Sequence, residues 1–196
     1  MPGTLPHSAE PLAPPAVDVL VEVERWTALL PDIEDLVVRA ATAAYMAGGA
    51  DAFEPEPPHG VEMSVSLQDD AAVQALNRHY RRKDSPTNVL SFAALEGDLP
   101  PLPEGEPLPL GDIVLALETC EREAAETGIP LAHHVHHLVV HGVLHLLGYD
   151  HEDDADAEEM EAVEVAVLAA AGIPDPYARG GDDEEEPASP TPERER

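Results

Sequence analysis

Between Pro130 and Gly148 the chain is apolar on almost every side of a helix, and this stretch constrains the fold more than any other. Val135, Leu138, Val139, Val140, Val143, Leu144, Leu146 and Leu147 point in too many directions for a single surface stripe. The spacing therefore predicts a central helix from Pro130 to Leu147. Proline suits its first turn, where a missing N–H is not needed, and Gly148 suits its end.

The elements expected around it follow from shorter patterns. Val17, Val19, Val21 and Val23 alternate with Asp18, Leu20, Glu22 and Glu24, the period of a half-buried strand, and Val61, Met63, Val65 and Leu67 repeat it. A helix is expected from Pro31 to Met46, closed by Gly48 and Gly49. Asp69 or Asp70 caps the next, which carries Val73, Leu76 and Tyr80 inward and breaks before Pro86. Thr87–Ala93 and Asp112–Leu117 read as strands, separated by a Pro-rich surface loop from Glu96 to Gly111. Helices over Glu118–Gly128 and Asp153–Ala171 complete the set. The order, βαββαβ-like and then helical, indicates an α/β (α+β) domain with a small mixed sheet packed by helices.

Length and charge set the limits. The 196 residues suit one domain with tails, expected as residues 16–175 between a disordered leader, 1–15, and an acidic disordered tail, 176–196. A formal net charge of -30 excludes indiscriminate binding of nucleic acid through overall charge, so any such contact must be local. Cys120 is the only cysteine, which rules out an intrachain disulfide, favours a reducing cytoplasm and reads as a small apolar packing residue. Neither a signal peptide nor a membrane span is expected.

Seven of the ten histidines lie between His133 and His151. His141 and His145, four residues apart, share one face of the central helix, and Gly148 lets the chain turn back so that His151 can be a third ligand. Three histidines with an open fourth position describe a catalytic zinc site. The string HGVLHLLGYDH has the ligand spacing of metzincin proteases, H-E-x-x-H-x-x-G-x-x-H, but Gly142 stands where those enzymes carry their general base. His133, His134, His136 and His137 fit structural or surface roles better than ligation, and Met160 fits a core position. Asp150 suits equally a partner to a ligand imidazole and the start of an acidic turn.

Away from the histidines, Arg78, Arg81, Arg82 and Lys83 are four of only ten basic residues. They suit phosphate binding, and equally a solvated helix end opposing the dipole.

The string HGVLHLLGYDH also resembles the signature of the YbeY family of metal-dependent endoribonucleases. LNRHYRRKDSPTNVLSF, from Leu76 to Phe92, is similar to a second block of that family, and Leu110, Gly111, Asp112 and Ile113 to a third. With Met160 and Glu164 the likeness covers about Val61 to Ala171. It implies His141, His145 and His151 as zinc ligands, Arg81 as the functional arginine, and a role in ribosomal RNA maturation. Asn88 stands where the family often has aspartate and is assigned no catalytic role.

The expectation is therefore a cytoplasmic zinc-dependent endoribonuclease with one ion per chain on the central helix. It hydrolyses phosphodiester bonds in single-stranded RNA and acts in small-subunit rRNA maturation and ribosome quality control. Its expected partner is RNA, as rRNA or the small subunit, with no DNA and no membrane. Two other classes use the same residues: a metalloprotease-like zinc hydrolase, and a non-catalytic ribosome-assembly factor with a structural metal.

Overall fold

The computed structural model describes residues 12–49, 53, 57–94, 102–151 and 153–178. Most of the expected leader and tail, and the first part of the Pro-rich loop, lie outside the described residues. The elements run β1 (Ala16–Val21), α1 (Arg25–Leu29), α2 (Ile33–Gly48), β2 (Val61–Gln68), α3 (Asp70–Arg81), β3 (Val89–Ala93), β4 (Leu108–Ala116), α4 (Leu117–Thr127), α5 (Leu131–Leu146) and α6 (Asp154–Ala170). The sequence order is thus two βα units, a strand pair and three helices, rather than βαββαβ.

The four strands form one mixed sheet in the order β1-β2-β4-β3. β1 and β4 both run parallel to β2, and β3 closes the edge antiparallel to β4. Because strand side chains alternate, β4 serves two cores. Ile113 and Leu115 join the main core with Val139, Val143, Ala40 and Tyr45, while Val114 and Ala116 meet Val73 and Leu90 under α3 on the other face. The central helix predicted from its all-round apolarity is α5, which contacts α2, α4, α6, β3 and β4.

Gly142 explains how α5 comes so close to the sheet. A Cβ there would lie 3.0 Å from two Ile113 side-chain carbons and 3.2 Å from Ser91 Oγ. The position that holds the base in metzincins is therefore pressed against the strands β3 and β4.

Three expectations need correction. α1 was not expected; it buries Trp26 completely, with Nε1 donating to the Gln68 carbonyl at 3.0 Å. Leu108–Gly111, expected in the loop, belongs to β4. Pro109 and Gly111 depress strand propensity, but the β2 register shifts between Glu62 and Met63, and this irregularity accommodates them. Gly111 has φ 135°, and a Cβ there would lie 2.1 Å from the Phe92 carbonyl oxygen. Tyr80, expected inward, is 63% exposed and instead packs edge-on against the outer Phe92 ring at 5.1 Å. No helix among the described residues is long and apolar enough to cross a membrane.

Candidate metal centre

His141 and His145 sit one turn apart near the C-terminal end of α5, and Gly148, with φ 91°, turns the chain so that His151 returns beside them. One ligand atom from each of the three lies within 4.8 Å of the others. The His151 ring stacks on His141 at 5.8 Å and meets the His145 ring at 5.1 Å. The three expected ligands are therefore brought together.

Hydrogen bonds decide which nitrogens face inward. His141 Nδ1 lies 2.8 Å from Oε1 of Glu164, and His145 Nδ1 lies 3.0 Å from the Tyr149 carbonyl oxygen. A carboxylate and a carbonyl can only accept, so both Nδ1 atoms carry protons, and in the neutral rings, the form that binds metal, both Nε2 atoms keep lone pairs. Those two Nε2 atoms face one another at 3.1 Å. Two lone pairs so close repel unless a proton or a metal cation lies between them. Zinc–nitrogen bonds of about 2.0–2.1 Å at tetrahedral angles put neighbouring nitrogens about 3.3 Å apart, so the donor set fits such an ion. Burial and the neighbouring His141 lower the pKa of His145 from 6.5, keeping its ring neutral, the form that binds metal.

Glu164 is the residue beside the three histidines that the chemistry of the motif missed; it entered only through the family likeness. It is 0% exposed, on the face of α6 that also buries Met160, Val167 and Leu168. Burial works against its charge, but hydrogen bonds from His137, His141 and Tyr177 outweigh that and lower its pKa to about 2. A lone acid at helical spacing among buried apolar residues is the signal that could have found it. Tyr177 carried no signal in the sequence. Asp150 is not the imidazole partner considered for it; its Oδ1 accepts from the His151 backbone N–H at 2.7 Å.

The other histidines have separate tasks. His134 pairs with Glu123 at 2.9 Å, and the same carboxylate oxygen accepts from Asn88 Nδ2 at 3.0 Å. His136 faces away from the ligand pair into the helix packing, with Nε2 buried and unpartnered among the described residues. Met160 is core, 2% exposed, and Cys120 is fully buried in the core.

A cleft of about 520 Å³ opens beside the three histidines, lined also by Arg81, Thr87, Asn88, Ser91 and Asp150. Arg81, the last residue of α3, lines it from the end of a helix whose Tyr80 packs on Phe92 of the edge strand β3. Its neighbour Arg82 takes a left-handed conformation, φ 57°, that turns the chain away. Arg78 is engaged with Asp84 at 3.7 Å. Among the described lining residues, Arg81 is the one permanent cation and Asp150 the one carboxylate.

Comparison with known proteins identifies a family and individual relatives. A family model described as Endoribonuclease YbeY matches residues 37–172. The chain is 55% identical over 161 residues to an Endoribonuclease YbeY of Rhodospirillum rubrum, covering 82% of this chain and 80% of the relative. An Endoribonuclease YbeY of Azorhizobium caulinodans is 53% identical over 163 residues, covering 83% and 96%. The solution structure of a Thermotoga maritima protein aligns at 22% identity and TM-score 0.41, over 88% of this chain and 99% of that one.

Proposed function

This chain belongs to the YbeY family of endoribonucleases, and from that premise we propose that it is a zinc-dependent endoribonuclease cleaving single-stranded RNA at the cleft beside His141, His145 and His151. One observation carries the reading: the Nε2 atoms of His141 and His145 face each other at 3.1 Å with their Nδ1 atoms held elsewhere, in a cleft whose one permanent cation among the described residues is Arg81. The chemistry a bound zinc ion supplies there is Lewis acidity and a water acidic enough to act as a nucleophile near neutral pH.

The protein's own residues do the rest. His141 and His145 present Nε2 inward because Glu164 and the Tyr149 carbonyl hold their other nitrogens. Arg81 offers a planar fork to two phosphate oxygens and opposes the charge that builds on them as the bond breaks. Asp150 has Oδ1 engaged with a backbone amide, so Oδ2 is the atom to take a proton from the attacking water or from the substrate's 2′-hydroxyl. A wall with a single fixed cation suits a strand whose phosphates enter one at a time, in a protein whose overall charge repels RNA.

The proposed setting is maturation of small-subunit rRNA and ribosome quality control, with the small subunit or its RNA as partner; support for it is the family membership. A metalloprotease reading loses ground to Gly142, which has no side chain to serve as the base and where an added Cβ would press on Ile113 and Ser91. The test is cleavage of single-stranded RNA by purified protein, before and after chelation and zinc restoration, with a duplex RNA and a peptide in parallel. Loss on chelation and recovery with zinc, confined to single-stranded RNA, is expected. RNA binding with no metal-dependent cleavage would instead establish a non-catalytic factor with a structural metal.

A further inference from the structure

Glu164 receives more donors than the orientation of one imidazole requires. Its Oε1 accepts from His141 Nδ1 at 2.8 Å, and its Oε2 accepts from His137 Nε2 at 2.8 Å and from the Tyr177 hydroxyl. The carboxylate is completely buried, so each oxygen needs such partners; without them a charge in the core is strongly unfavourable. Neither His137 nor Tyr177 belongs to the three-histidine group or lines the cleft. They approach from two directions, His137 from one turn earlier on α5 and Tyr177 from the segment after α6. Their rings meet edge to face at 5.9 Å, so they brace one another over Oε2.

The consequence for His141 is geometric. A carboxylate gripped at Oε2 from two sides cannot rotate about its last bond, and Oε1 then sets both the plane of the His141 ring and the nitrogen that keeps its proton. Released from that grip, Glu164 would turn, and His141 could exchange tautomers and offer its protonated nitrogen to the metal.

We propose that Tyr177 and His137 are positioning residues for the metal centre: they lock Glu164 so that it holds His141 in the metal-binding tautomer, which makes the segment after α6 part of the site. The proposal rests on the reading of His141 as a ligand.

The experiment uses the full chain as wild type, Tyr177→Phe, His137→Phe, Glu164→Gln and His141→Ala. Zinc affinity is measured by chelator competition, the thermal midpoint on metal-free protein, and the His141 ring tautomer by nitrogen NMR of metal-free protein. Tyr177→Phe removes one hydroxyl and keeps the ring packing; a roughly tenfold loss of zinc affinity is expected, at the low end for an outer partner of a ligand, with Glu164→Gln losing more. In both, the His141 ring should show a mixed tautomer population. His137→Phe is the independent check from the other side of Oε2 and should also weaken zinc binding. Wild-type zinc affinity in Tyr177→Phe and His137→Phe, with His141→Ala still losing zinc, would overturn the lock and leave the ligand reading standing. So would weaker binding that only follows a lower thermal midpoint with an unchanged tautomer. Retention of zinc by His141→Ala would overturn the ligand reading itself, and the lock with it.

Discussion

His141 and Glu164 are joined Nδ1 to Oε1 at 2.8 Å, across a helix–helix contact between residues 23 apart in the chain. This bond turns an ordinary histidine on an apolar helix into a group with its lone pair aimed at two other imidazoles. Metal content should accordingly depend most strongly on the three ligand histidines, with His137 acting only through its bond to Glu164. His141→Ala, His145→Ala and His151→Ala are each expected to lower zinc per chain sharply, measured by elemental analysis after dialysis. His136→Ala should keep it, because that ring faces away from the pair.

Arg81 can be tested for geometry separately from charge. Arg81→Lys keeps the charge and loses the planar fork, and Arg81→Ala loses both. Folding and zinc content should be unchanged in each, since the side chain is exposed at a helix end. RNA cleavage should fall, by roughly 2–4 kcal/mol in the activation free energy for the alanine variant if the guanidinium opposes transition-state charge. Single-turnover rates against binding constants would show whether the loss lies in turnover or in affinity; wild-type rates in both variants would remove Arg81 from the site.

Gly142 separates this site from a protease by packing. An added Cβ meets Ile113 at 3.0 Å and Ser91 Oγ at 3.2 Å. Overpacking of this kind costs about 1–3 kcal/mol, of which alanine's better helix propensity returns roughly 1. Gly142→Ala should therefore be destabilised by up to about 2 kcal/mol in urea unfolding. Gly142→Glu, which restores the metzincin string, should be less stable still and gain no peptidase activity.

His136 gives the molecule a pH dependence independent of the site. Burial, with the charges of Arg39, His133 and His137, lowers its pKa below 6.5. The folded ring stays neutral while the unfolded chain takes up a proton, so stability is full above about pH 6.5 and falls as pH drops through and below that value. His136→Leu removes both this linkage and a buried unpartnered nitrogen. Metal-free His136→Leu should lose less stability than wild type between pH 7.5 and 5.5; equal losses would assign the acid sensitivity elsewhere.

Charge alone supports a prediction for the far end of the chain. Removing residues 180–196 takes away seven acids and two arginines, and leaves Tyr177 in place. Zinc affinity should not change, and RNA binding at low salt should tighten, an effect that fades as salt screens the charge. Weaker RNA binding would mean that the segment makes attractive contacts of its own.

Much of the site was legible because its ligands are local. The i, i+4 spacing of His141 and His145 and the glycine turn to His151 depend on backbone geometry over 11 residues, which no distant contact needs to supply. Arg81 was legible as a dense basic cluster, but not as a member of this cleft: clustering says nothing about which edge of the sheet receives the end of α3. Likewise the loop reading of Leu108–Gly111 followed proline and glycine propensities that the pairing of β4 between β2 and β3 overrode.

The sequence by itself determined the α/β composition, the buried central helix and the set of three histidines, because periodicity and helix ends are written in neighbouring residues. Only the tertiary structure decided which nitrogen of His141 is free, which carboxylate holds it, and that a tyrosine at position 177 braces that carboxylate. Those choices arise where α5, α6 and the following segment pack together: a buried charge must find its donors wherever the fold brings them, and separation along the chain carries no information about that.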